Sequence, residues 1–273
     1  MIEILAPGPL ATVQDLGRAG YAALGVPRSG GFDRGALRLA NRLVGNPDDA
    51  AALEVTFGGL GIRLARAATI ACTGAVCPGA PDWDVALTLP AGAVVRLGAP
   101  AHGLRSYLAV RGAIDVEATL GSRSTDTLSW LGPAPLRAGD RLPIGSPRGA
   151  VSGTAGAPST ATRVLPIRFG PRDDWFTAAA LEALVGTGWT VRSECDRVGV
   201  RLDGRPLERA HGGELPSEPM LPGALQVPPD GRPILFGPDA PVTGGYPVLA
   251  VVTDLDHAAQ LRPGDEVRFS PRR

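Results

Sequence analysis

Three observations predict a mainly β chain in two lobes with a few short helices. Short apolar runs recur at regular spacing, Gly and Pro punctuate them throughout, and a small, breaker-rich stretch lies past the middle. The 273 residues include 37 Gly and 27 Pro, about double average usage, while 44% are hydrophobic, ample for a core. The length exceeds one typical domain. Residues 148–162, RGAVSGTAGAPSTAT, have nothing to bury and read as a linker. They divide an N-terminal β-rich lobe at 1–150 from a C-terminal lobe at 163–273.

Ile2 to Leu5 is a short strand, followed by the turn-rich segment APGPLATVQDLGRAGYAALGVPRSGGFD. A helix follows, with Asp33 as its cap, Leu37, Ala40, Leu43 and Val44 at helical spacing, and Gly45 with Pro47 ending it. Strand character then returns at Leu53 to Phe57, Ile62 to Leu64, Thr69 to Cys72, Val85 to Leu89, Val94 to Leu97 and Arg105 to Val110, a spacing that indicates a sandwich or barrel. Beyond the linker, Ile167 to Gly170 reads as a strand, and Asp173 or Asp174 caps a helix running to Gly186. Strands at Thr190 to Ser193, Val198 to Leu202, Gly223 to Val227, Ile234 to Phe236 and Val248 to Val252 precede a short helix near Asp256 to Leu261 and a strand ending at Phe269. No clean fixed-period repeat is found.

Composition excludes several chemistries. Basic and acidic residues both number 27, so no basic surplus points to nucleic acid or an anionic membrane. The chain contains no lysine. It therefore cannot carry biotin, form a Schiff base, or complete a GxxxxGK[ST] phosphate loop. The N-terminus MIEILAPGPL has no secretory pattern and no run is long enough to span a bilayer, so a cytoplasmic protein is expected. Cys72, Cys77 and Cys195 are an odd set without a second zinc-type pair and read as buried free thiols. His102, His211 and His257 stand in unrelated contexts, and no metal site is expected. GxSxG is missing, so no serine triad can be proposed.

One segment looks built for a ligand. In GALQVPPDGRPILFGPDAPVTGGYPVLAVVTD, Thr243 supplies a hydroxyl, Gly244 and Gly245 can expose their amides, and Tyr246 adds an aromatic with a polar tip. Such a loop can receive an anion or a carbonyl oxygen. The other reading is a tight turn with a packed Tyr.

The stretches PGPLATVQDLGRAGYAALGVPRSGGFDRGALRLANRLVGNPDDAAALEVT, RSYLAVRGAIDVEATLGSRSTDTL, ERAHGGELPSEPMLPGALQVPPDGRPILF and TGGYPVLAVVTDLDHAAQLRPGDEVRF, in this order over nearly the whole chain, resemble the KipA family. That family covers the C subunit of bacterial ATP-dependent 5-oxoprolinase and is also labelled allophanate hydrolase subunit 2 or biotin-dependent carboxyltransferase. The resemblance implies two cyclophilin-like β-barrel lobes with a site between them. It also implies a complex with a KipI-like B subunit and an A subunit, together opening 5-oxoproline to glutamate with ATP held by a partner and no covalent cofactor. The chain departs from the family pattern at Val242, where a second threonine usually precedes GGYP, and at Phe32, Val198 and Pro219.

The matching residues make chemical sense for a lactam, which offers a carbonyl, an N–H and a carboxylate. Gln14, Asp15 and Arg18 bring an amide, a carboxylate and a guanidinium onto one segment, where Arg can grip a carboxylate; a structural Asp15–Arg18 pair is the alternative. Ser29 and Asp33 can orient a substrate, or Asp33 only caps its helix. Arg123, Thr125 and Asp126 read as a structural polar turn, and Arg197 as a surface or strand-edge residue. Ser217 and Glu218 precede the strand ending at Gln226, whose side chain is placed to meet Thr243 and Tyr246. Glu218 or Asp33 is the candidate general base. Two other functions remain open: carboxyl transfer to urea or another amide with a biotinylated partner, and a non-catalytic regulator that binds a KipI-like inhibitor.

Overall fold

Alternating apolar residues build two β-rich units, and the parity of strand directions shapes one of them. The computed structural model describes residues 1–152, 162–213 and 215–272, so most of the expected linker at 148–162 lies outside the described residues. The chain divides into one unit of Met1–Arg18 with Ser29–Thr160 and a second of Ala19–Arg28 with Ala161–Arg273.

In the first unit, β1 (Ile2–Pro7), β2 (Leu10–Gln14), α1 (Arg34–Leu43), β3 (Ala52–Thr56), β4 (Leu60–Leu64), β5 (Ala68–Gly74), β6 (Ala86–Leu89), β7 (Val94–Arg96), β8 (Arg105–Val110) and β9 (Arg141–Leu142) follow in order. They form an antiparallel sheet ordered β7-β4-β1-β9 and a second ordered β2-β3-β8-β5-β6. Ile2, Ile4, Ile62 and Leu64 of the first sheet share one buried cluster with Val13, Leu53, Val55, Ile70, Leu108 and Val110 of the second. The period of two sends the intervening Ala52, Ala71, Tyr107 and Ala109 to the opposite face, where Leu37, Ala40 and Leu43 of α1 cover them. Asp33 caps α1 as expected, accepting from Ala36 N–H at 2.8 Å. At the other end Gly45, with φ 74°, takes the left-handed turn that stops the helix.

The second unit holds β10 (Val164–Phe169), α2 (Ala178–Gly186), β11 (Trp189–Val191), β12 (Gly199–Asp203), β13 (Glu218–Pro219), β14 (Ala224–Gln226), β15 (Ile234–Phe236), β16 (Thr243–Gly244), β17 (Val248–Val252), α3 (Leu255–Ala258) and β18 (Glu266–Pro271). Seven of these strands close into a barrel, β10-β17-β14-β15-β12-β11-β18, and β13 pairs with β16 beside it. Six successive antiparallel pairings return the strand direction to its start, so the closing pair, β10 with β18, has to be parallel. Trp189 is fully buried and donates its indole N–H to Leu184 O at 3.0 Å, tying α2 to the barrel.

The mainly β expectation is met. Closure belongs to the second unit, whereas the strands of the first remain in two hydrogen-bonded sheets. Other expectations are corrected. Leu10–Gln14, read as part of a turn-rich segment, is a five-residue strand paired along its length with β3. Asp173 and Asp174 do not cap α2: they belong to a single 3-10 turn that the extended Phe176 terminates, and Thr177 Oγ1 caps α2 through Ala180 N–H at 3.2 Å. Arg197 is buried, its guanidinium donating to both oxygens of Asp239 at 2.9 and 3.1 Å. Cys72 and Cys77 are buried, but Cys195 is only half-buried and accepts from Arg201 N–H at 3.2 Å. Burial pushes the Cys72 thiol up to about 12, which leaves it unreactive. Among the described residues no helix is long and apolar enough to cross a membrane.

Candidate functional site

Apart from Asp33, the predicted site residues fall into two clusters, one in each unit. In the first, β2 delivers Gln14 and Asp15 to the turn Ser122–Asp126, which sequence reading assigned a structural role. The Asp15 carboxylate accepts from Gly17 N–H at 2.7 Å, Ser122 Oγ at 2.6 Å, Arg123 N–H at 2.6 Å and Ser124 Oγ at 2.5 Å. Arg18 Nη2 donates to Ser124 O at 2.5 Å. Asp15 and Arg18 therefore do not pair with each other; each fastens the same turn separately. Gln14 Nε2 and Ser29 Oγ both donate to Thr125 O, at 2.9 and 3.0 Å. Gln14, Asp15, Arg18 and Ser29 are thus brought together as expected from their chemistry, but by a third segment.

This cluster holds more polar capacity than the protein uses. Among the described residues Gln14 Oε1, Arg18 Nη1 and Thr125 Oγ1 are buried without a hydrogen-bond partner. Each such atom costs about 1–3 kcal/mol when left unpaired. Asp126, by contrast, is saturated by Leu128 N–H, Ser129 N–H and Ser129 Oγ and is structural.

Asp33 stands apart, in a buried network that sequence reading missed. Its N–H donates to Tyr107 Oη at 2.8 Å, Tyr107 donates to Glu54 Oε2 at 2.6 Å, and Phe32 N–H donates to the same oxygen at 2.9 Å. Arg105 lies 3.6 Å from Glu54 and 4.4 Å over the Phe32 ring. Burial, then the Glu54 charge, raise the Tyr107 phenol well above its ordinary value. Asp33 caps its helix through Oδ1, one of the two roles its position allows.

In the second unit the loop Thr243–Tyr246 is set by Gln226. The Gln226 side chain is buried, and its Nε2 donates to Tyr246 O at 3.0 Å and faces Met220 Sδ at 3.7 Å. Both amide hydrogens are directed at the protein, so Gln226 positions the loop; of its two expected neighbours it meets Tyr246, through the backbone, while Thr243 makes no side-chain hydrogen bond among the described residues. Opposite, β13 pairs Glu218 with Gly244 and Pro219 with Thr243. Arg172 Nε lies 3.0 Å from both Glu218 oxygens, and Nη2 pairs with one of them. That bond holds the Glu218 carboxyl below its ordinary value, keeping it ionised and a weak base. Ser217, Thr243, Gly245 and Tyr246 are exposed. Thr243 is exposed, and its Oγ1 is a donor suited to an oxygen that gains negative charge.

Sequence reading also missed Arg209. Its backbone is fixed by a bridge to Phe176, its Nη2 donates to Val227 O at 2.6 Å, and its guanidinium lies 6.0 Å from the Tyr246 ring. Nothing local in ERAH marks it, because all three partners are distant in sequence.

A family model for the carboxyltransferase domain, subdomain A and B, matches residues 24–271. The chain belongs to the carboxyltransferase-domain family. It is 39% identical to the C subunit of 5-oxoprolinase from Escherichia coli, over 98% of this chain and 90% of that protein. Against urea amidolyase of Lachancea kluyveri identity is 33%, over 98% of this chain but 17% of the relative. Among solved structures, TTHA0988 superposes with a TM-score of 0.89 at 35% identity, covering 98% of this chain and 55% of that one. Urea amidolyase of K. lactis gives 0.91 at 31%, covering 99% and 18%. The chain therefore spans about half of one solved relative and under a fifth of the other. The family match includes Ser29, Asp33 and the whole second cluster but begins after Gln14, Asp15 and Arg18.

Proposed function

We propose that this chain is one component of an ATP-dependent 5-oxoprolinase that opens 5-oxoproline to L-glutamate, together with a KipI-like B subunit and an A subunit. The observation that carries this reading is the match in length as well as sequence to the C subunit of E. coli 5-oxoprolinase, of which the chain covers 90%. The reaction adds water across the lactam C–N bond, giving a carboxylate and an amine, and is driven by hydrolysis of ATP to ADP and phosphate. ATP is assigned to a partner, since this chain has no lysine for a phosphate loop. Thr243 Oγ1 and the amides of the exposed Gly245 and Tyr246 are the groups proposed to stabilise the lactam oxygen as charge builds on it, and Gln226 holds the loop in place.

A second reading, carboxyl transfer to urea or a related amide, is favoured by the urea amidolyase relatives. It needs a biotinylated partner. The test is to express the chain with its neighbouring reading frames and assay ATP hydrolysis against lactams and ureas. ATP hydrolysis dependent on 5-oxoproline, absent with the isolated chain, is the expected result. Biotin-dependent carboxylation of urea would replace the proposal with the second reading, and tight partner binding with neither activity would make the chain a regulator.

A further inference from the structure

We propose that Arg209 is the carboxylate-recognition residue of the second-unit cluster, gripping the carboxylate of the substrate while the lactam lies against the Thr243–Tyr246 loop. This rests on the lactam reading of that site. The cluster holds two arginines whose charges are handled differently. Arg172 is neutralised by Glu218. Arg209 has no carboxylate within ion-pair distance among the described residues, and its Nε is buried without a hydrogen-bond partner. Its side chain is half-buried and held at two points, the Phe176 bridge through the backbone and Val227 O through Nη2. Val227 directly follows Gln226, the residue that positions Tyr246. A pre-oriented, half-buried guanidinium without a carboxylate partner among the described residues, beside an exposed aromatic, is a receptor for a planar anion. Arg18 was the sequence-based choice for this role, but it is 2% exposed, whereas Arg209 is only half-buried.

The experiment compares 5-oxoproline with 2-pyrrolidinone, the same ring without a carboxylate. Binding to the full chain and to its complex is measured by calorimetry for the wild type, Arg209→Met and Arg209→Lys. Wild type should prefer 5-oxoproline, and Arg209→Met should weaken its binding roughly 10- to 100-fold while leaving 2-pyrrolidinone unchanged. Arg209→Lys should restore part of the preference. In wild-type protein the Arg209 Nε–H NMR signal should shift with 5-oxoproline and not with 2-pyrrolidinone, a readout that survives even if Arg209→Met misfolds. A wild type without preference for the carboxylate, a preference that persists in folded Arg209→Met, or an Nε–H signal indifferent to 5-oxoproline would each overturn the assignment. Binding of 5-oxoproline through Arg209 by a complex that does not hydrolyse it would sink the proposed reaction and leave Arg209 standing. Turnover of 5-oxoproline with unaltered KM in Arg209→Met would do the reverse.

Discussion

Gly244→Ala isolates one contact in the second cluster. Gly244 does not occupy the left-handed region, so an alanine is acceptable to the backbone, and what it lacks is room. A Cβ there would stand 2.5 Å from Gln226 Nε2 and 3.2 Å from Met220 Cγ and Sδ. Ordinary contact begins at 3.4 Å, so the amide end of Gln226 has to shift, and the expected outcome is loss of its 3.0 Å bond to Tyr246 O. Losing that bond and stranding a buried amide costs about 1–3 kcal/mol, a fall in Tm of about 4–12 °C at roughly 4 °C per kcal/mol. Freed from Gln226, the loop should lose about 10- to 1,000-fold in turnover by the complex. Thermal unfolding and 5-oxoproline-dependent ATP hydrolysis are measured on Gly244→Ala, Gln226→Ala and the double variant. Because both substitutions break the same bond, Gly244→Ala should be nearly silent once Gln226 is gone. Additive losses, or a single variant with wild-type Tm and turnover, would refute this account of how the loop is held.

Two further expectations concern buried charge. Asp84 adopts φ 56°, is buried, and has both carboxylate oxygens unpartnered among the described residues; burial raises its pKa. A raised folded pKa means that its contribution is most favourable at acid pH and declines as pH rises above the ordinary carboxylate value. Asp84→Asn, which keeps a side chain tolerant of the left-handed region, should raise Tm at pH 8 and change it less at pH 4; a loss of stability at both would contradict the sign. Glu54→Ala should destabilise the chain by about 3–5 kcal/mol in urea titrations, because it removes a carboxylate from beside the buried Arg105 and the acceptor of Phe32 N–H and Tyr107 Oη; a cost under about 1 kcal/mol would show that the network is not fixed through Glu54.

Elements whose signals are local were legible. Asp33, the spacing Leu37, Ala40, Leu43 and the stop at Gly45 specify α1 without reference to anything distant, and Arg105–Val110 was read to the residue. Leu10–Gln14 escaped because Pro and Gly on both sides outweighed a five-residue alternation whose partner, β3, lies some forty residues on. Thr177 lost its capping role to two aspartates nearby, since only the bridge between Phe176 and Arg209 shows why the chain is extended just before it. At the site, residue types that answer a lactam could be picked out, but their partners could not. Asp15 is saturated by a turn more than a hundred residues away, Arg197 is buried on Asp239, and Arg209 acquires its setting from Phe176, Val227 and Tyr246. Hydrogen-bond partners at such separations are decided by strand register, which no single segment encodes.

The odd strand count of the barrel bears on how it can be re-engineered. Because β10 and β18 run in the same direction, the chain enters the barrel and leaves it heading the same way, with Val164 beside Arg268 and Pro271 about 10 Å farther along. A tight hairpin cannot join such ends. A circular permutant that links β18 back to β10 needs a crossover of roughly a dozen residues, whereas the antiparallel neighbours β14 and β15 offer a natural place to open new termini.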